Sequence, residues 1–205
     1  MDTAKAPDTA APGVAAGQSG MPLYFREDWK EIPAAPVTQE HVNSPELVLH
    51  TYGSAKDQIK KSHHEEPPLD PYYIWSGETT GRWGITLSRQ GHVLDLSQGG
   101  VVRWRSNQSG QHFPRILIRL LNGDFYVSNQ TDTNASEWHV FEFILSNVTW
   151  SKLDPESLVQ RPEWDKPDLT QVVEVGFTDL EAGAGSDSSS RIDWIEVFGQ
   201  PRVMP

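Results

Sequence analysis

The stretch Ser190-Arg191-Ile192-Asp193-Trp194-Ile195-Glu196-Val197-Phe198-Gly199 decides how the chain is read. At a period of two, Asp193, Ile195 and Val197 fall on one face of a strand, and Ile192, Trp194, Glu196 and Phe198 on the other. A carboxylate therefore opens a face that is otherwise apolar. A buried Asp left unpaired is costly, so Asp193 must be met by an arginine, by backbone N–H groups or by a hard cation.

Working back from that strand, the same texture runs to Pro22. Short segments rich in Val, Ile, Trp, Tyr and Phe are separated by Gly, Asn, Asp, Ser and Pro, the pattern of an all-β sandwich. Strands are predicted at 47–52, 72–75, 81–88, 101–106, 115–121, 124–128, 138–145, 172–179 and 192–198. Leu121-Asn122-Gly123-Asp124 puts an Asn-Gly pair between two of them, which predicts a hairpin. No long segment has apolar residues at helical spacing, and prolines at 155, 162 and 167 make 153–167 a crossover loop. Residues 1–21 are Ala, Pro, Gly and Thr with little to bury. They read as a disordered lead-in to a single domain at 22–205.

A chain of 205 residues can stabilise one core without staples, and with no cysteine it has no disulfide, thiolate metal site or cysteine nucleophile. A net charge of -11 argues against nucleic acid and anionic membrane as partners. No apolar run approaches the roughly 18 to 20 residues that cross a bilayer. No Gly-rich phosphate loop, G-x-S-x-G or H-E-x-x-H motif is present, so neither a nucleotide nor a redox cofactor is expected.

Three groups of residues carry candidate chemistry. His63, His64, Glu65 and Glu66 lie in one loop and supply acid and base groups if the chain is an enzyme. Eight tryptophans are several times ordinary usage, and sugar rings stack on Trp and Tyr faces. Tyr73, Trp75, Trp83 and Trp164 are the candidates for ligand contact, with Trp104, Trp138, Trp150 and Trp194 expected in the core. Arg103 and Arg105 lie two apart in one predicted strand and Arg119 in the next. Together with Tyr126 they are expected to make a floor for a polar or acidic ligand on one sheet face.

The 190–199 strand resembles the closing strand of the galactose-binding-like jelly rolls, which include carbohydrate-binding modules and the complex I intermediate-associated protein domain. Val93-Leu94-Asp95-Leu96-Ser97, running into Val101-Val102-Arg103-Trp104-Arg105, is similar to that family's step into a central strand. Trp138 to Phe143 and 168–177 resemble two further segments, so the likeness covers roughly residues 92–199. It implies a jelly-roll β-sandwich of two antiparallel sheets. It also implies a structural Ca²⁺ near the chain ends at Asp193, with Glu27 or Asp28 as a further ligand. The expected function is recognition of a polysaccharide or acidic glycan on a concave sheet, in a periplasmic or extracellular setting, with a cytoplasmic one left open. Two alternatives remain: a lyase or hydrolase acting on a sugar through the 63–66 loop, and an assembly or scaffold protein. Oligomeric state is not legible.

Overall fold

The computed structural model describes residues 20–32, 36–62, 72–133 and 137–204. In chain order the strands are β1 (Leu23–Glu27), β2 (Leu47–Tyr52), β3 (Lys60–Ser62), β4 (Tyr73–Trp75), β5 (Gly84–Arg89), β6 (His92–Asp95) and β7 (Val101–Ser109). There follow β8 (Arg115–Leu120), β9 (Phe125–Ser128), β10 (His139–Ile144), β11 (Trp150–Leu153), β12 (Val172–Thr178), β13 (Ser189–Phe198) and β14 (Gln200–Val203). Short 3-10 turns at Gln39–His41, Leu145–Asn147 and Leu169–Gln171 are the only helical pieces among the described residues.

Two antiparallel sheets result. The first runs β10-β7-β13-β4-β3, with β1 also on β13; the second runs β11-β9-β8-β12-β5-β2, with β6 joining β12 and β14 joining β6. From β7 onward the chain passes repeatedly between the sheets, which gives the jelly roll expected from the sequence. The Asn122-Gly123 hairpin forms between β8 and β9, with Gly123 at a φ of 91° that a side chain would strain.

The strand quoted at the outset breaks its own period. Ile192 pairs with Ser106, but Trp194 pairs with Arg105, so Asp193 is an extra residue on β13 with no counterpart on β7. This is a β-bulge, and it flips the alternation. Ile192, Ile195 and Val197 all face the core, and Asp193 does not share a face with Ile195 as a strict period of two predicts. Its carboxylate turns instead to Arg105, whose Nη1 donates to Oδ2 at 2.8 Å.

Between the sheets, Trp104 and Phe143 of the first meet Ile116, Ile118, Val175 and Phe177 of the second. Phe177 lies edge-on to Trp29, Trp83 and Trp104, with centroids at 6.4, 6.1 and 6.1 Å. One ring thus ties the opening segment, β7 and the entry to β5 together, and Phe177→Ala should cost about 3–5 kcal/mol. Trp83 is 1% exposed here. It is core rather than ligand surface, because β5 turns its odd-numbered residues inward.

A second device fixes one end of the core. Asp132, fully buried, accepts from Trp104 Nε1 at 2.8 Å, Ser106 Oγ at 2.6 Å and Gln108 Nε2 at 3.0 Å through Oδ2, while its Oδ1 lies 2.8 Å from His139 Nε2. Burial opposes a charge on His139, but the bond to Asp132 outweighs it and the imidazole pKa is raised. A raised pKa means that the folded state holds the proton more tightly. The stability this adds is complete below about pH 6.5, the ordinary imidazole value, and is lost as pH rises through the folded value. Thermal unfolding between pH 6 and pH 8 should therefore show a fall in Tm that is shallower in His139→Gln; parallel profiles would exclude this linkage.

Candidate functional site

The outer face of the second sheet carries a polar row across four adjacent strands. Arg119 on β8 stands opposite Glu174 on β12, and Thr86 on β5 stands opposite His50 on β2. Glu174 is the hub of this row. Its Oε1 accepts from Arg119 Nη1 at 2.7 Å, and its Oε2 accepts from Tyr52 Oη at 2.8 Å and Thr86 Oγ1 at 2.6 Å. His50 Nε2 lies 4.0 Å from Glu174 and 2.8 Å from Ser88 Oγ.

The sequence explains why a carboxylate can stand there. In Val172-Val173-Glu174-Val175-Gly176-Phe177 the apolar residues 175 and 177 point inward, which leaves Glu174 and Gly176 outward on a central strand. Gly176 has room for no more: a Cβ would strike the backbone of Ile85 and Thr86. That close approach brings Thr86 within reach of Glu174.

Glu174 is 2% exposed, whereas the Arg119 side chain is 40% exposed. The carboxylate is therefore a buried anchor and the guanidinium is the presented group. The hydrogen bond from Arg119 to Glu174 raises the arginine's pKa, so its charge is fixed. Burial, followed by the Glu174 charge, pushes the Tyr52 phenol up, and it acts as a neutral donor. The row borders a groove of about 270 Å³ that Arg89, Leu121, Val173 and Met204 help to line. Arg89 is itself paired with Glu46 at 2.6 Å.

The other expected site residues fall elsewhere. Arg103 and Arg105 do share a face, but it is the outer face of the first sheet, on the opposite side of the sandwich from Arg119. The chain crosses between sheets after β7, and that crossover separates them. There Arg26 stacks on Trp194 at 4.4 Å, Arg103 on Phe198 at 4.9 Å and Arg105 on Trp138 at 5.1 Å. Arg26 and Arg103 both bond Glu196, and Arg105 bonds Asp193, so these guanidinium groups tie the protein to itself.

Tyr73 is buried against Trp138 at 5.5 Å, and Tyr126 is buried with its hydroxyl 3.2 Å from Asp165. Both are structural: β9 turns Tyr126 into the core, whereas Tyr73, on the outer side of β4 opposite the inward Ile74, is covered by Trp138. Trp75 is partly exposed and donates from Nε1 to Ser189 Oγ at 3.0 Å. Trp164 is 60% exposed, on the loop after β11, away from the groove. His63, His64, Glu65 and Glu66 lie outside the described residues.

Glu27 and Asp193 were expected to hold calcium, and their donor sets do not fit it. Glu27 Oε1 accepts from the N–H groups of Trp29 and Asn43, each at 2.7 Å, and Oε2 from that of Ser44 at 3.0 Å. Burial pushes this carboxyl up, and the three N–H groups pull it down. They also hold Trp29 at a φ of 52°, a left-handed conformation a bulky residue adopts only when its surroundings impose it. A cation at Glu27 would have to displace three N–H dipoles already aimed at it, and one at Asp193 would compete with Arg105. Among the described residues, no group of three or more His, Asp or Glu is arranged to hold a metal.

No family model matches the chain. No curated protein matches it in sequence. Among solved structures it is similar to the family 11 carbohydrate-binding module of a cellulosomal cellulase of Clostridium thermocellum, at 17% identity and a TM-score of 0.48, covering 82% of this chain and 95% of that one. A family 11 module from the same organism in complex with a β-1,3-1,4-mixed-linked tetrasaccharide gives 19% identity, coverage of 77% and 91%, and a TM-score of 0.47. An exo-β-agarase gives 8% identity, coverage of 79% and 24%, and a TM-score of 0.38.

Proposed function

We propose that the chain is a carbohydrate-binding β-sandwich whose ligand lies along the outer face of the second sheet, over Arg119. The observation that carries this reading is the Arg119–Glu174 pair: an exposed guanidinium held by a buried carboxylate on adjacent central strands. An arginine fork fixed in this way offers directed donors to neighbouring hydroxyls without losing rotamer freedom on binding. His50 and Ser88 add donors and acceptors along the same line, and Leu121, Val173 and Met204 offer apolar surface to the C–H faces of a sugar.

Charge narrows the ligand. Glu174 neutralises Arg119, Glu46 neutralises Arg89, and the chain as a whole carries -11, so a polyanion meets a net repulsion. A neutral polysaccharide is the better fit, and an extracytoplasmic setting is where such polymers are met.

Native affinity electrophoresis in gels containing neutral β-glucan, xylan, polygalacturonate or alginate tests this. Retardation by a neutral polymer is expected. Arg119→Lys, which keeps the charge but loses the fork, should weaken it about tenfold or more. Retardation by no polymer, or by acidic ones alone, would overturn the reading, as would an unchanged Arg119→Lys variant.

A further inference from the structure

One end of the sandwich brings His112 together with two residues distant from it in sequence, Asp179 and Ser188. Asp179 follows the last residue of β12, His112 lies in the crossover from β7 to β8, and Ser188 immediately precedes β13. His112 Nδ1 is 2.7 Å from Asp179 Oδ2, and His112 Nε2 is 3.1 Å from Ser188 Oγ. Asp179 and His112 are buried, whereas Ser188 is half-buried at the end of an exposed loop.

The geometry points to a serine nucleophile at Ser188, with His112 as its general base and Asp179 orienting the imidazole, acting on acyl esters. The roles follow from donors and acceptors. Asp179 Oδ2 also accepts from Ser190 Oγ at 2.8 Å, and Oδ1 from the Glu181 N–H at 3.0 Å, so the carboxylate is held as an acceptor. An acceptor at Nδ1 places the ring proton there and leaves Nε2 free to take one from the Ser188 hydroxyl. A serine, a histidine and a buried aspartate linked in that order are recognised as a unit by geometry, independently of fold or sequence order.

Two further features prepare the serine. Gly110, at a φ of 65°, faces Ser188, and a Cβ there would collide with its Oγ. Arg191 donates from Nη2 to the Ser186 carbonyl at 2.9 Å and pins the loop that carries the nucleophile. The N–H groups of Ser186 and Asp187, in the same exposed loop, bond no backbone acceptor among the described residues.

The step balances without a cofactor. Ser188 Oγ bonds to the acyl carbon as its proton passes to His112 Nε2, and the imidazolium returns that proton to the departing alkoxide. Water then attacks the acyl-serine, giving its proton to His112 and its oxygen to the carboxylic acid, and the Ser188 hydroxyl is restored.

The full chain should be treated with a fluorophosphonate probe, mapped by mass spectrometry, and assayed for release of p-nitrophenol from p-nitrophenyl acetate. The expected result is one adduct, at Ser188. It should be absent from Ser188→Ala, whose half-exposed site tolerates the change, and ester hydrolysis should fall about 10³-fold or more in that variant. Asp179→Asn, which keeps the shape but disturbs the tautomer, should slow labelling strongly. A native chain that takes no label, labels elsewhere, or hydrolyses the ester as fast after Ser188→Ala would overturn the assignment. Glycan retardation by the native chain is independent of each of these outcomes.

Discussion

Glu174→Ala is expected to lower the urea midpoint by the equivalent of about 2 kcal/mol and to abolish glycan retardation in the same variant. Three donors converge on this carboxylate, and they do not lose equally. Arg119 is exposed enough to bond water, so its loss adds little to the stability term. Tyr52 Oη and Thr86 Oγ1 are the costly ones, because Thr86 is fully buried and Tyr52 is wedged against Phe125 at 4.8 Å. Removing Glu174 also relieves the burial of a charge, which keeps the net figure below the 3–5 kcal/mol often seen when one partner of a buried ion pair is deleted. For binding, the loss is of pre-organisation: Arg119 keeps its charge but no longer has a fixed direction. Glu174→Gln retains one acceptor oxygen and should lie between the two. An unchanged urea midpoint in Glu174→Ala would show that the row is not held by its carboxylate.

That hub was open to the same reasoning that singled out Asp193. A carboxylate in the middle of Val172-Val173-Glu174-Val175 needs a partner, and an arginine on another predicted strand, such as Arg119, could supply it. The partner of Asp193 was legible only as a class, because the bulge at Asp193 leaves no mark in a sequence read at strict period two. Arg103 and Arg105 could be placed together, since alternation within one strand is local. Their relation to Arg119 could not, because it depends on whether the chain between Ser109 and Arg115 returns to the same sheet or crosses to the other. The crossing is a property of the whole topology.

The hairpin at Asn122-Gly123 was legible because its conformation is set by two residues. Strands β1, β3, β6, β11 and β14 were not. They are short, carry charged or polar residues, and β14 contains Pro201, which suits an edge position and reads as loop. Their identity comes from the strand that each one meets. Trp83 shows the converse error: beside Gly81 and Gly84 it resembles an exposed turn aromatic, and only the inward register of β5 makes it core. His112, Asp179 and Ser188 have no spacing to read, being 67 and 76 residues apart in their two contacts.

Asp132→Ala should be the most damaging polar substitution, at about 3–5 kcal/mol, a large part of the stability of an ordinary domain. Trp104 Nε1, Ser106 Oγ and Gln108 Nε2 all donate to one oxygen, and Ser106 and Gln108 are fully buried with it, so none of the three can turn to water. Each is left with the desolvation cost of an unmade bond. His139, partly exposed, loses the carboxylate that holds its proton, so the dependence of Tm on pH between 6 and 8 should flatten together with the overall loss. Asp132→Asn separates the two effects. One amide oxygen can still accept from the β7 donors, while the amide nitrogen facing His139 favours the neutral ring. This variant should therefore keep much of the urea midpoint but lose the pH slope. If Asp132→Asn retained the slope of the native chain, the raised affinity of His139 for its proton would have to come from some other group.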